Sequence, residues 1–279
     1  MPISVCIAGT TGWTGSVVAR HLLASEEFEV VGAIARRSAG RDLGEVLGVA
    51  ANGVTIRHSL EEVLADGSDV DVLVDYTDPI SVKPRTLEAL ATGIRVVIGT
   101  SGLTAADYVE IEHEASANDL GVIAAGNFSI TAALAKHFSL LAARHLPSWE
   151  IIDYASAAKT DAPSGTTREL AESMGDVAQS ALGVALDKTH GQREARGATI
   201  GGTQVHSVRL PGFIIAFETL FGLPDERLTI RHDAGSGAEP YAVGTLLAAK
   251  MVMETTGLIR GLDRLLFGDA PAALTTGAS

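Results

Sequence analysis

The sequence holds a single cysteine, Cys6, among its 279 residues. An intramolecular disulfide is thereby excluded, and so is a metal site built on thiolates. Cys6 lies in the apolar run Ile3-Ser4-Val5-Cys6-Ile7, where a small buried thiol is expected. Positive charge is scarce as well: 21 Lys and Arg against 34 Asp and Glu leave a net charge of -13. A field of that sign repels nucleic acid and anionic membrane surfaces, so neither is an expected partner. A bound phosphate therefore has to be held by a local device. No stretch of about 18 residues is continuously apolar, and Met1-Pro2-Ile3-Ser4 carries no basic segment ahead of a hydrophobic one. The expectation is a soluble, cytoplasmic protein.

What is present is globular in composition, with 46% hydrophobic and 20% charged residues. The length suits one large or two ordinary domains. In the first half, short apolar runs at 3–8, 29–35, 70–76, 95–98 and 121–125 alternate with helical patterns at 15–24, 60–65, 81–91 and 105–117. Strands apolar throughout and separated by helices predict a parallel sheet covered on both faces, a Rossmann-like doubly wound α/β domain over 1–128.

From Ser129, a plausible N-cap for a helix over 130–145, the pattern changes. A strand at 149–155, a polar loop at 158–165 and a helix at 166–182 follow, the helix opened by Thr166 and Glu169 at capping-box spacing. Glycine-rich, charged residues 183–202 read as an exposed flap. β-rich runs at 203–210, 213–221 and 227–232 come next, the last two joined as a hairpin by Gly222-Leu223-Pro224-Asp225. This predicts an α+β domain over 129–240 with an open mixed sheet. The helical C-terminal stretch, about 241–279, is expected to pack back on the first domain. An open sheet carrying Phe213-Ile214-Ile215-Ala216-Phe217 is expected to expose apolar surface and to favour association between copies.

The chemistry starts at Gly9-Thr10-Thr11-Gly12-Trp13-Thr14-Gly15, which follows the first strand and opens a helix. The spacing is a variant of the dinucleotide fingerprint, whose glycines permit a tight turn, close approach of a pyrophosphate and close helix packing. Amides at the helix start then attract phosphate. Gly9, Thr11, Gly12, Trp13, Thr14 and Gly15 are the candidate cradle. An NAD site usually places an acid about 20 residues further on. Here the second strand runs into Arg36-Arg37, a pair suited to a ribose 2′-phosphate. NADPH is the cofactor expected, with NADH possible.

Further segments resemble the dihydrodipicolinate reductase family over nearly the whole chain. These are Asp75-Tyr76-Thr77, Gly99-Thr100-Ser101-Gly102, Gly126-Asn127-Phe128-Ser129, Val205-His206-Ser207-Val208-Arg209-Leu210 and Leu228-Thr229-Ile230-Arg231-His232-Asp233. The most specific is Lys159-Thr160-Asp161-Ala162-Pro163-Ser164-Gly165-Thr166. The resemblance implies a homotetramer. It also implies that Tyr76, Thr77, Gly99, Thr100, Ser101, Ala125, Asn127 and Phe128 border the ribose and nicotinamide. Ser164, Gly165 and Thr166 would bind a substrate carboxylate, with Lys159 adding charge nearby.

One departure stands out. The family usually reads His-His-x-His-Lys before the octapeptide, its first histidine being the proton donor. This chain has Ala155, Ser156 and Ala158 at the histidine positions. Lys159 and Tyr154 remain as candidate catalytic donors, with Ser156 as a further substrate contact. The loop 234–240 also lacks the family's arginine and contains Glu239. The reading is an NAD(P)H-dependent imine reductase with an altered substrate range. The family's own lysine-pathway reaction, an amine dehydrogenase and a non-catalytic NADPH sensor are the alternatives. His137, His145, His190, His206 and His232 have no ligand-like spacing with an acid, so no metal is expected.

Overall fold

The computed structural model describes residues 1–268. They form two compact units, one of Met1–Ile130 with Gly237–Leu266, the other of Thr131–Ser236, which Phe267 joins.

The first unit begins β1 (Ile3–Ala8), α1 (Trp13–Ala24), β2 (Phe28–Ile34), α2 (Leu43–Leu47), β3 (Ile56–Arg57) and α3 (Leu60–Ala65). It continues β4 (Val72–Asp75), α4 (Val82–Ala91), β5 (Arg95–Ile98), α5 (Ala105–Ala117) and β6 (Gly121–Ala124). The second unit holds α6 (Ile130–Ala143), which starts at the boundary, then β7 (Ser148–Ala155), α7 (Gly165–Val177), β8 (Ala198–Ile200), β9 (Thr203–Arg209), β10 (Ile215–Leu223) and β11 (Glu226–Ala234). The chain then returns to the first unit with α8 (Glu239–Met251), β12 (Gly257–Arg260) and α9 (Leu262–Phe267).

The first sheet has seven strands in the order β12-β6-β5-β4-β1-β2-β3, all parallel. Its central strands are buried on both faces: every residue of β4 and β6 is buried. That is why they read as unbroken apolar runs rather than alternating ones. The second sheet, β11-β10-β7-β9-β8, is mixed, with β7 and β9 parallel and its other pairs antiparallel. Its strands alternate instead. On β7, Trp149, Ile151, Asp153 and Ala155 are buried, while Ser148, Glu150, Ile152 and Tyr154 are half-exposed. Trp149 and Ile151 share a core with Phe217, Phe221, Leu170 and Met174, so α7 covers that face.

Several expectations are corrected. The stretch 183–202 contains β8 and two single-turn helices, Leu186–Lys188 and Arg193–Arg196. α7 starts at Gly165 with Ser164, not Thr166, as its cap: the Ser164 hydroxyl accepts from the Thr167 amide. The run around Phe213 exposes apolar surface only in part, with Ile214 exposed and Phe213 and Ile215 half-exposed. Ala216 and Phe217 are buried, and the residues facing away from α7 include the ion pairs of Glu150 with Arg196 and of Glu218 with Arg231. Within 241–279, β12 and α9 follow α8, and residues 269–279 lie outside the described ones.

Candidate active site

The loop between β1 and α1 is built on two close approaches. Gly9 has φ +87°, and a Cβ there would stand 2.1 Å from the Tyr76 carbonyl oxygen. A Cβ on Gly15 would stand 2.1 Å from the carbonyl oxygen of Gly9. These two glycines press the loop onto the end of β4 and α1 onto the loop. Gly12 differs: the nearest atom to its missing Cβ is the Gly9 carbonyl at 3.2 Å. Its bareness keeps the helix start open toward a cleft. No side chain caps α1, and no acid stands in its first turn, which leaves an electropositive terminus.

That cleft has a volume of about 580 Å³ and is lined by Gly9, Thr11, Gly12, Arg36, Arg37, Tyr76 and Thr77, together with Ile34, Ala35, His58, Asp78, Ser81 and Arg85. The arginines are exposed, Arg36 lying 3.8 Å from Asp78. A bare glycine at a helix start, with two cations at the end of the next strand, fits a dinucleotide with a phosphorylated ribose. Sequence reasoning missed His58, Asp78, Ser81 and Arg85, which come from the ends of β3 and β4 and from α4.

Asp75 organises the loops at the carboxyl ends of β4 and β5. Its buried carboxylate accepts from the Thr77 amide (3.0 Å), the Thr77 hydroxyl (2.7 Å), the Thr100 hydroxyl (2.8 Å) and Arg85 (2.5 Å). The Tyr76 hydroxyl meets Thr245 Oγ1 at 2.5 Å. Burial pushes that phenol far above its ordinary range, with the Thr245 bond pulling weakly the other way. Gly99 lies against the Tyr76 ring, where a Cβ would be 2.1 Å from Cε1. Phe128 meets the same ring edge-on at 6.2 Å. Asn127 Oδ1 accepts from the Ser129 amide at 2.8 Å. Ala125 is buried and Ser101 exposed. Trp13 is exposed and stacks edge-on with Tyr241 at 5.8 Å; Thr14 and Gly15 follow it inside α1.

In the second unit, α7 begins at the far end of the loop that leaves β7. The fully buried Asp153 accepts from the Ser164 amide (3.0 Å), the Ser164 hydroxyl (2.7 Å), the Thr167 hydroxyl (2.9 Å), the Ser207 hydroxyl (3.3 Å) and Arg209 Nη2 (2.7 Å). Burial alone raises a carboxyl pKa, but the bonds from Ser164 and Arg209 overcome it and hold Asp153 below its ordinary value of 3.8. Arg209 Nη2 also donates to the Asp161 carbonyl at 2.7 Å, tying the loop to β9. Lys159 Nζ pairs with Asp161 Oδ1 at 2.8 Å.

The Ser164 hydroxyl is therefore engaged inward, with Asp153 and Thr167. Gly165 is exposed and Thr166 half-exposed, in a first turn that carries no acid. Lys159, Gly165 and Thr166 together form a cationic, amide-rich rim suited to a carboxylate. Ser156 is half-buried and turns the chain toward Lys159, whose amide bonds the Ser156 carbonyl at 3.0 Å. Tyr154 is not brought to this rim. Strand alternation puts it on the face opposite Asp153, with its ring 5.0 Å from Phe213 and under the Arg231 guanidinium. Partial burial and then the Glu218 charge raise its pKa, so it gives up a proton reluctantly.

Residues 3–128 match the family described as dihydrodipicolinate reductase, N-terminus, and residues 127–266 match dihydrodipicolinate reductase, C-terminus. A 4-hydroxy-tetrahydrodipicolinate reductase from Moorella thermoacetica is 39% identical over 266 residues, covering 95% of this chain and 98% of that protein. One from Desulfitobacterium hafniense is 38% identical over 264 residues, with the same coverage. A solved dipicolinate-bound dihydrodipicolinate reductase from Paenisporosarcina sp. TG-14 gives a TM-score of 0.82 at 33% identity, over 95% of this chain and 100% of that one. An amine dehydrogenase from Mycobacterium smegmatis shares the fold, with a TM-score of 0.67 at 16% identity over 95% of this chain and 96% of that one.

Proposed function

This chain belongs to the dihydrodipicolinate reductase family and is an NAD(P)H-dependent oxidoreductase; from that premise we propose that it reduces the C=N bond of 4-hydroxy-tetrahydrodipicolinate. Full-length relatives at 38 and 39% identity carry that substrate in their names, and a solved relative holds dipicolinate, a ring with two carboxylates. The altered substrate range expected from the sequence has no such support. The observation that carries the proposal is the rim of Lys159, Gly165 and Thr166 at the start of α7, held by Asp153 and Arg209.

A nicotinamide cofactor, when bound, would supply the hydride. For this chain's residues the division of labour is as follows. Amides at the start of α7 and the Lys159 ammonium bind a substrate carboxylate. Asp161, 2.8 Å from Lys159, orients the ammonium. We assign the proton delivered to the ring nitrogen to Lys159 Nζ. Arg36 and Arg37 favour NADPH, and NADH remains usable.

A second reading is reduction of a different cyclic imine. It is favoured by the segment Ala155-Ser156-Ala157-Ala158, which brings no imidazole to the loop. The test follows NADPH oxidation by absorbance, with enzymatically generated 4-hydroxy-tetrahydrodipicolinate beside a panel of cyclic imines. Turnover of the former, lost in Lys159→Ala, is the expected result. Silence there with turnover of another imine selects the second reading. NADPH binding without turnover of anything overturns both.

A further inference from the structure

We infer that His58 is a third ligand of the NADPH 2′-phosphate, acting with Arg36 and Arg37 to select the phosphorylated cofactor. This rests on the reading that the cleft at the end of β2 takes NADPH. The placement comes from the sheet. β2 and β3 are parallel neighbours with Ile34 paired to Arg57, and the Ala35 amide bonds the Arg57 carbonyl at 3.0 Å. Arg36 lies two residues past Ile34, and His58 one residue past Arg57. Both leave the sheet side by side at its carboxyl edge, and both line the cleft.

The backbone of His58 is fixed by the start of α3. Its amide donates to Glu62 Oε2 at 2.9 Å, while Ser59 Oγ accepts from the Glu62 amide at 3.2 Å. The exposed imidazole has no hydrogen-bond, ion-pair or ring partner among the described residues. Other charges lining the cleft are committed elsewhere. Arg85 serves Asp75 and Thr77. Asp78, the one acid of the lining, accepts from Ser81 Oγ at 3.0 Å and from the amides of Ser81 at 3.0 Å and Ile80 at 3.1 Å. Arg57, beside His58, is paired with Asp66 at 2.6 Å. Arg37 and His58 thus have no partner among the described residues, and Arg36 has only its exposed 3.8 Å pair with Asp78, so these three are the side chains left for an anion.

A phosphomonoester offers three terminal oxygens. Two guanidinium forks and an imidazole N–H satisfy them better than the forks alone. The 2′-hydroxyl of NADH has no use for three donors. Removing the ring therefore acts on one cofactor and spares the other.

The test is calorimetric titration of NADPH and NADH, without substrate, into the wild type and into His58→Ala, His58→Gln, His58→Phe and Arg36→Ala. His58→Ala weakens NADPH about tenfold, the worth of one hydrogen bond to a charged group, and leaves NADH unchanged. His58→Gln, which keeps an N–H, recovers part of the loss, and His58→Phe does not. Equal loss for both cofactors, full NADPH affinity in the Phe variant, or no change in the Ala variant overturns the inference. If Arg36→Ala loses the preference for NADPH while His58→Ala keeps it, the NADPH reading stands without His58. If neither variant changes it, both fail.

Discussion

Arg209 Nη2 lies 2.7 Å from Asp153 Oδ2, joining neighbouring strands β9 and β7 beneath the start of α7. Asp153 is fully buried and the Arg209 side chain is 16% exposed. A carboxylate so placed is tolerable only while its partners remain. Arg209→Met leaves it uncompensated and is expected to lower the unfolding free energy by about 3 kcal/mol. Asp153→Asn combined with Arg209→Met should cost less than the sum of the single changes, because the pair is removed together. Urea denaturation of the three variants checks this, and strict additivity would deny the coupling.

Acid should weaken the fold over two ranges of pH. His232 is a base held below its ordinary 6.5, first by burial and against the opposing pull of Asp233. The unfolded chain therefore binds its proton more readily, so the contribution is complete above pH 6.5 and declines as pH falls below it. Asp153 is an acid held below 3.8, so its contribution is complete above that value and is lost only on further acidification. Urea midpoints measured down the pH scale should slope from near neutrality, and His232→Gln should flatten that first slope.

The two kinds of glycine in the β1–α1 loop should separate in experiment. Gly9→Ala combines a φ of +87° with a methyl 2.1 Å from a carbonyl oxygen, and should fail to fold or melt far lower. Gly12→Ala meets nothing nearer than the Gly9 carbonyl oxygen at 3.2 Å, and should keep a melting temperature close to wild type while losing most of the stabilisation that added NADPH confers. Thermal melts with and without NADPH read both quantities. A Gly12→Ala protein that responds fully to NADPH would place the pyrophosphate elsewhere.

Tyr154→Phe removes the phenol on the opposite face of β7 from Ser164. Its kcat should stay within about twofold of wild type, against a loss of about a hundredfold or more for Lys159→Ala. Steady-state kinetics with the accepted imine decides between the two donors.

How far the sequence alone carries depends on what kind of contact is asked for. Runs such as Val72-Leu73-Val74 announce buried parallel strands because every residue shares one environment. β3, with two residues, falls below any readable period, as does the register that sets His58 beside Arg36, and β12 opens on Gly257 and ends on Arg260, so no apolar run marks it. Ser164 and Thr166 both suit a cap by type and spacing. The choice was made by Asp153, eleven residues earlier in the chain, which claims the Ser164 hydroxyl. Arg209 stands 56 residues from Asp153, a pairing only the sheet reveals. The Phe213–Phe217 run reads as one apolar surface, yet the fold leaves Ile214 exposed while alternation along β10 sends Phe217 inward and Glu218 outward.

β12 also bears on how the chain is made. Its four residues, Gly257–Arg260, give β6 its outer neighbour, and they leave the ribosome only after all of residues 131–236. Until then β6 offers an unpaired row of amides and carbonyls, the kind of edge that recruits other nascent chains. A chain ended before Gly257 carries that edge permanently, and it should appear in inclusion bodies rather than as a shortened soluble enzyme.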